Sequence, residues 1–323
     1  MTISYEDKRN EHPLNQLRKH DTAELIKKWK KMFNENQKKA ISLINKDALE
    51  FPTLFTLSKQ IIEKKCKHQL NDRNKMALSH IENVLHGADL GIHKVKHFTD
   101  QHDLIITTFR WILVTGAKEF IIPGYLQIID SAAIQMLISY QENVLKETVD
   151  LVFYRYRHQS QNHYLIWAIF ESANPLCLIF ISNYLNSSNH MESSLARKLL
   201  SFIPGLSSAK TNQQALIIFE EWFEENSKYL FYTGQTNDMS PNPVPFKPLL
   251  NAKYLGKAVS SKTGETIQQL SPYEKQLNIN FNKLSHEMQQ RLSSYSLYLR
   301  RRHRPQWMSW IKSPVQQQVA SIN

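Results

Sequence analysis

Residues 271–304 read SPYEKQLNINFNKLSHEMQQRLSSYSLYLRRRHR. Their apolar side chains recur at spacings of four, three, four, four, three and four, at Leu277, Phe281, Leu284, Met288, Leu292, Tyr295 and Leu299. This period of about 3.67 residues is typical of a helix with one apolar face. Ser271, Pro272 and Glu274 predict the start of that helix, as cap, first-turn proline and capping-box partner. We therefore expect one long amphipathic helix over 272–304, packed on its own chain or on a partner helix.

Similar signals recur through the rest of the chain. Asp21 with Glu24 and Thr211 with Gln214 have capping-box spacing, and Asn174-Pro175 repeats the cap-then-proline order. Together with the apolar spacing they predict further helices near 22–45, 52–69, 72–86, 101–115, 124–141, 142–158, 162–173, 175–186, 190–202 and 212–230.

The composition favours an all-α fold. Of 323 residues, 41% are hydrophobic, which suits a packed core, and only eight are glycine, the residue on which nucleotide-binding loops and tight hairpins depend. Ile122-Pro-Gly124 and Ile203-Pro-Gly205 recur 81 residues apart, each before a predicted helix. An irregular helical bundle and a short α-solenoid of HEAT type both fit this pattern.

Prolines mark a candidate linker. Residues 235–250 contain four of the twelve prolines, and so separate a helical body (1–234) from a C-terminal part (251–323). In that second part, two short runs flank Ser-Ser-Lys-Thr-Gly near 254–270, which predicts a small β-hairpin before the long helix and the tail.

We expect neither a membrane span nor a secretory leader in this chain. The N-terminal residues lack an apolar core, and Glu171, Asn174 and Pro175 interrupt the most apolar stretch. Two cysteines cannot form a disulfide framework, so we expect a cytoplasmic protein. Cys66 lies among lysines whose charge favours a thiolate, so it is either a reactive or an incidental surface thiol.

Histidines crowd one segment, His80–His102, which contains five of the thirteen. On a helix, His93, His97 and Asp100 share one face, and with His86 they could hold Fe, Mn or Zn. The opposing interpretation is a solvated stripe, because Ile92, Val95 and Phe98 form the opposite, apolar side of the same helix. The segment therefore leaves two predictions open: a protein without a cofactor, and a protein that binds Fe, Mn or Zn.

The C-terminal run combines dense positive charge with aromatic rings. Its candidate anion- or nucleic-acid-binding residues are Arg300, Arg301, Arg302, Arg304, Trp307 and Trp310. The same set suits an anionic membrane surface. It equally suits a structural role, with the cations at a helix C-terminus and the Trp pair folded back on the core.

These observations indicate binding more than catalysis. The formal net charge is +11, and the helix near 22–45 has a lysine-rich outer face. There is no Walker loop, nucleophile elbow, Cys-x-x-Cys or His-Glu-x-x-His motif. We therefore expect an interaction or scaffold protein that docks an acidic partner, with a helical metal-binding protein and a nucleic-acid-binding protein as alternatives.

Overall fold

The computed structural model describes residues 12–86, 102–119, 122–140, 143–235 and 242–322. These residues form seventeen α-helices and one two-stranded sheet, which confirms the predicted all-α class as an irregular helical bundle. The chain divides into two compact units, residues 1–151 and 152–323. The predicted linker at 235–250 lies inside the second unit.

The first unit is built around two central helices, α4 and α5. Its helices are α1 (Pro13–His20), α2 (Thr22–Glu35), α3 (Gln37–Ile44), α4 (Phe51–Glu63), α5 (Asp72–His86), α6 (His102–Gly116), α7 (Pro123–Ile134) and the first half of α8 (Leu145–Arg157). Helix α4 packs against α1, α2, α5 and α6, while α5, α6 and α7 pack on one another. Trp29, Phe51 and Tyr125 are fully buried in this core.

The predicted helix 22–45 is two helices that meet at Asn36. This residue has extended φ (−152°), ends α2, and accepts a hydrogen bond from Lys39 N through its side-chain oxygen at 2.9 Å. Asparagine competes for backbone hydrogen bonds, so it favours a cap over a helix interior. The apolar spacing alone did not predict the break.

The second unit contains the end of α8 and all later elements. The helices are α9 (His163–Glu171), α10 (Leu176–Ser182), α11 (His190–Leu199), α12 (Asn212–Asn226), α13 (Leu250–Leu255), α14 (Pro272–Asn282), α15 (His286–Arg302), α16 (Arg304–Trp310) and α17 (Val315–Ala320). Strands β1 (Leu230–Tyr232) and β2 (Phe246–Pro248) pair antiparallel, with Leu230 opposite Pro248.

The predicted hairpin near 254–270 is reduced to one antiparallel bridge between Val259 and Thr266. Tyr254, at its predicted start, is the fifth residue of α13 and is fully buried. The sheet of this unit instead joins β1 to β2, and β2 lies within the proline-rich segment. Proline in β2 is tolerated because Pro248 is at the end of a two-stranded sheet, where no further strand needs its missing N–H.

The predicted long helix is also two helices, α14 and α15. The capping box at Ser271 and Glu274 is present, as predicted. However, α14 ends at Asn282, and the Ser285 side chain accepts a hydrogen bond from Met288 N at 3.3 Å to start α15. Gln289 then donates to the carbonyl oxygens of Phe281 and Leu284, which satisfies one C-terminal acceptor of α14 and one in the turn that follows it.

The apolar stripe survives this break. Its members belong to a single cluster of this unit, in which Leu277, Phe281, Leu292 and Leu299 are buried and Leu284, Met288 and Tyr295 are partly buried. The stripe therefore packs on its own chain, the first of the two predicted arrangements. No helix in the described part of the chain is long and apolar enough to cross a bilayer.

Candidate functional site

The predicted arginine and tryptophan set divides into an interior and an exposed half. Helix α15 ends at Arg302, and His303 then turns the chain into α16 with φ −142° and ψ 58°. Pro305 follows in the first turn of α16, where its missing N–H costs no helical hydrogen bond. The chain bends at this point, and residues on its two sides face either the core or water.

Arg300 belongs to the interior half. Its Nη1 donates to Tyr229 Oη at 2.8 Å, and its Nη2 donates to the carbonyl oxygen of Lys253 at 2.6 Å. The guanidinium also lies 5.7 Å from the ring centres of Tyr229 and Trp307. These contacts tie α15 to α13, so we leave Arg300 out of the candidate site.

A buried lysine, Lys253, lies next to Arg300. Lys253 is buried, and its Nζ donates to Asn226 Oδ1 at 2.9 Å and approaches Glu225 Oε2 at 3.4 Å. Burial lowers the pKa of Lys253, and the carboxylate of Glu225 acts in the opposite direction. This ammonium is used in joining α12 to α13 and does not face solvent.

Both tryptophans fold back, as the structural interpretation of the tail predicted. Trp310 is buried in the core cluster and donates from Nε1 to Ser321 Oγ at 2.9 Å. Trp307 is half-buried and donates a hydrogen bond to Ser296 Oγ at 2.9 Å. The Ser296 hydroxyl in turn donates a hydrogen bond to the carbonyl oxygen of Tyr254. Neither ring is free to stack on a ligand.

The exposed half forms what we call the basic corner: Tyr298, Arg302, His303, Arg304 and Met308. Tyr298 is 51% and Met308 45% exposed, and the other three are exposed as well. The ring of His303 packs edge-on to Tyr298 at 5.7 Å. Among the described residues, no carboxylate pairs with Arg302 or Arg304. The corner therefore presents two guanidinium groups with unused hydrogen-bond donors.

Arg301 borders the corner but is already engaged. Its Nη2 lies 3.3 Å from Glu224 Oε1 and donates to the carbonyl oxygen of Glu224 at 3.1 Å. The pair is largely exposed, so it contributes little stability. It nevertheless neutralises one of the predicted cations and fixes it against α12.

The distribution of acidic residues is a further signal, which the sequence motifs did not include. Residues 288–323 contain no Asp or Glu and six cations, namely Arg291, Arg300, Arg301, Arg302, Arg304 and Lys312. A count of acidic residues along the chain would have found this acid-free segment. Its positive field has no internal counter-charge in sequence, so the basic corner lies in the most one-sided part of the chain.

The predicted metal site lies mostly outside the described residues. His93, His97 and Asp100 fall there, and so does the side chain of His86. His80 is buried and its Nε2 donates to the carbonyl oxygen of Ile128 at 3.1 Å, which makes it a core residue. The described residues contain no group of three or more His, Cys, Asp or Glu side chains arranged to hold a metal.

The first unit has a basic face of its own on α2 and α3. Lys27, Lys30, Lys38 and Lys39 are exposed, and no carboxylate of the described residues pairs with them. Other lysines of α2 are matched within the helix, as in the 2.7 Å pair of Lys28 with Glu24. This face has lysines without exposed aromatic neighbours, so it is less specific than the basic corner.

Comparison with protein-family models, with curated proteins and with solved structures finds no match to this chain. Function is therefore inferred from the chemistry of the described surfaces. The basic corner combines two exposed guanidinium groups, unpaired among the described residues, with an exposed aromatic ring.

Proposed function

We propose that this chain is a non-enzymatic binding protein that docks an acidic macromolecule on the basic corner. The observation that carries the proposal is the exposure of Arg302 and Arg304, unpaired among the described residues, at the bend of an acid-free segment. Arg302 lies in the last turn of α15, where a cation complements the helix dipole, but Arg304 begins α16, where that dipole disfavours a cation. The contacts that hold α15 in place use Arg300, which lies on the other side of the same helix.

The anchoring of the bend between α15 and α16 also supports binding at the basic corner. The bend between α15 and α16 is anchored from below by Trp307 and Trp310, both hydrogen-bonded through their indole N–H groups. The guanidinium groups therefore extend from a fixed backbone, which lowers the entropy lost when a partner binds. Arginine also matches the planar geometry of carboxylates and phosphates with two parallel hydrogen bonds.

The test is a binding titration with two generic polyanions, fluorescein-labelled heparin and a labelled poly-glutamate peptide. The Arg302→Glu/Arg304→Glu variant should bind each probe about tenfold more weakly or worse, because like charges in contact cost several kcal/mol. Both side chains are exposed, so the variant should keep the helical circular dichroism of the wild type.

The matched control is Lys198→Glu/Lys210→Glu, which changes the net charge by the same amount. Both lysines are exposed on the same unit and lie outside the acid-free segment. The control should bind nearly as well as the wild type. Equal loss in the two variants would show attraction to net charge alone and would overturn the proposal, as would a wild type that binds neither probe.

A further inference from the structure

One face of α15 places cations on both sides of an exposed ring. At about 100° per residue, Arg291, Tyr298 and Arg302 fall within an arc of about 40° on the helix surface. All three are exposed. The separation from Arg291 to Arg302 is eleven positions, or roughly 16 Å of helix axis. The face is therefore a straight track along α15, and Arg304 follows two residues after Arg302, at the start of α16.

The ring of Tyr298 is supported without being covered. It packs against Tyr295 at a centroid distance of 6.2 Å, with 27° between the planes, and against the edge of His303. Its hydroxyl lies 3.4 Å from His303 Nε2. These contacts limit the ring's rotation and leave about half of its surface in water.

We infer that the acidic macromolecule is a single-stranded nucleic acid, whose phosphates contact Arg291, Arg302 and Arg304 while a base stacks on Tyr298. The inference rests on the proposed function and names its ligand class. Single-strand binding sites combine a positively charged track with aromatic rings on which bases stack. The outer face of α15 supplies both, at a length that spans several nucleotides.

Two features favour this ligand over the alternatives. An exposed ring can stack on a base only if that base is not already stacked within a duplex, so Tyr298 selects single strands. An acidic protein face would pair with the guanidinium groups, whereas each nucleotide supplies both an anion for them and a flat ring that stacks on Tyr298. Arg291 retains donors for a phosphate, because within the described residues only its Nη2 donates a hydrogen bond, to the carbonyl oxygen of Ile322.

The test is fluorescence anisotropy of the full chain with a labelled oligo-dT, an oligo-U and a duplex, each about 20 nucleotides long to exceed common site sizes. The single strands should bind more tightly than the duplex. Tyr298→Ala should weaken single-strand binding by about 5-fold to 150-fold, the range for loss of one stacked base. Oligo-dT and oligo-U distinguish DNA from RNA, and either satisfies the inference.

Two further variants separate stacking from charge. Tyr298→Phe keeps the ring and should bind within about twofold of the wild type, since stacking uses the π-face and not the hydroxyl. Arg302→Ala/Arg304→Ala should weaken binding and reduce the slope of log affinity against log salt by about 1.4, or about 0.7 for each lost phosphate contact on a single strand. Lys198→Ala/Lys210→Ala removes the same charge at exposed positions outside the acid-free segment; it is the control and should leave both quantities nearly unchanged.

The outcomes separate this inference from the proposed function. Tight binding of heparin or poly-glutamate with no oligonucleotide binding would overturn the inference and leave the proposed function standing, with an acidic protein as partner. Equal affinity for duplex and single strand, unchanged in Tyr298→Ala, would also overturn it. Failure of every polyanion to bind would remove both.

Discussion

Arg300 crosses directly over Gly256. A methyl group built on the Gly256 α-carbon would lie 2.5 Å from Arg300 Nη1, closer than atoms can approach. Gly256 also has φ +70°, which glycine adopts without strain, at the end of α13. The glycine therefore both ends α13 and opens the path by which the arginine reaches the Lys253 carbonyl.

The first prediction distinguishes Arg300, which anchors α15, from Arg302, which is exposed. Arg300→Ala should lower the free energy of unfolding by about 2–3 kcal/mol, because it removes charged hydrogen bonds to Tyr229 and Lys253. Arg302→Ala should change it by less than about 0.5 kcal/mol, as an exposed substitution. Urea unfolding followed by tryptophan fluorescence measures both. Equal effects would mean that Arg300 does not anchor α15.

His80 predicts a loss of stability in mild acid. Burial lowers the pKa of His80 from 6.5 to about 4, and the hydrogen bond to Ile128 opposes that shift only in part. Between these values the unfolded chain binds more protons than the folded one, so stability is fully present above pH 6.5 and is lost as the pH falls towards 4. The loss should approach about 1.4 kcal/mol per pH unit.

The matched variant for this test is His80→Gln, which keeps a side-chain N–H donor and does not titrate. Urea unfolding of both proteins at several pH values between 7 and 4.5 gives the difference in slope, in which shifts of other groups, such as His12, cancel. The wild type should lose more stability than the variant as the pH falls. Parallel curves would show that His80 is solvated in the folded state.

The apolar pattern of α14 and α15 predicted their shared core but not the break between them. The spacing from Phe281 to Leu284 to Met288 continues unchanged, because two helices packed on one core can keep the same stripe. The break depends on which hydrogen bonds Ser285 and Gln289 make, and side-chain spacing does not contain that information. The spacing of apolar residues therefore identifies the buried face of a helix more reliably than it identifies where the helix begins and ends.

The candidate site was partly predictable in the same way. The anion-binding set included Arg302 and Arg304, but also Arg300, which lies four residues after the buried Ser296 and so shares its face. A helical wheel separates Arg300 from Arg302 by about 200°. Tyr298 was not among the predicted site residues, because exposure of a single ring depends on packing by residues distant in sequence.

The thiols provide a third prediction, against the possibility of a reactive Cys66. The lysines around it in sequence suggested a stabilised thiolate, but Cys66 and Cys177 are both fully buried, and burial raises the pKa of each thiol. Ellman's reagent should detect neither thiol in the native protein at neutral pH and both in guanidinium chloride. Reaction of native wild type that disappears in Cys66→Ala would contradict the structure.

The fourth prediction tests the break between α14 and α15. Ser285→Ala removes the hydrogen bond to Met288 N and should lower the free energy of unfolding by about 1 kcal/mol, the usual cost of losing an N-cap. In a continuous helix the same change would stabilise, because alanine has the higher helix propensity. Ser294→Ala supplies that comparison, since Ser294 is exposed in the middle of α15 and should gain a few tenths of a kcal/mol. Opposite signs for the two serines, measured by urea unfolding, would establish two helices; the same sign would favour one.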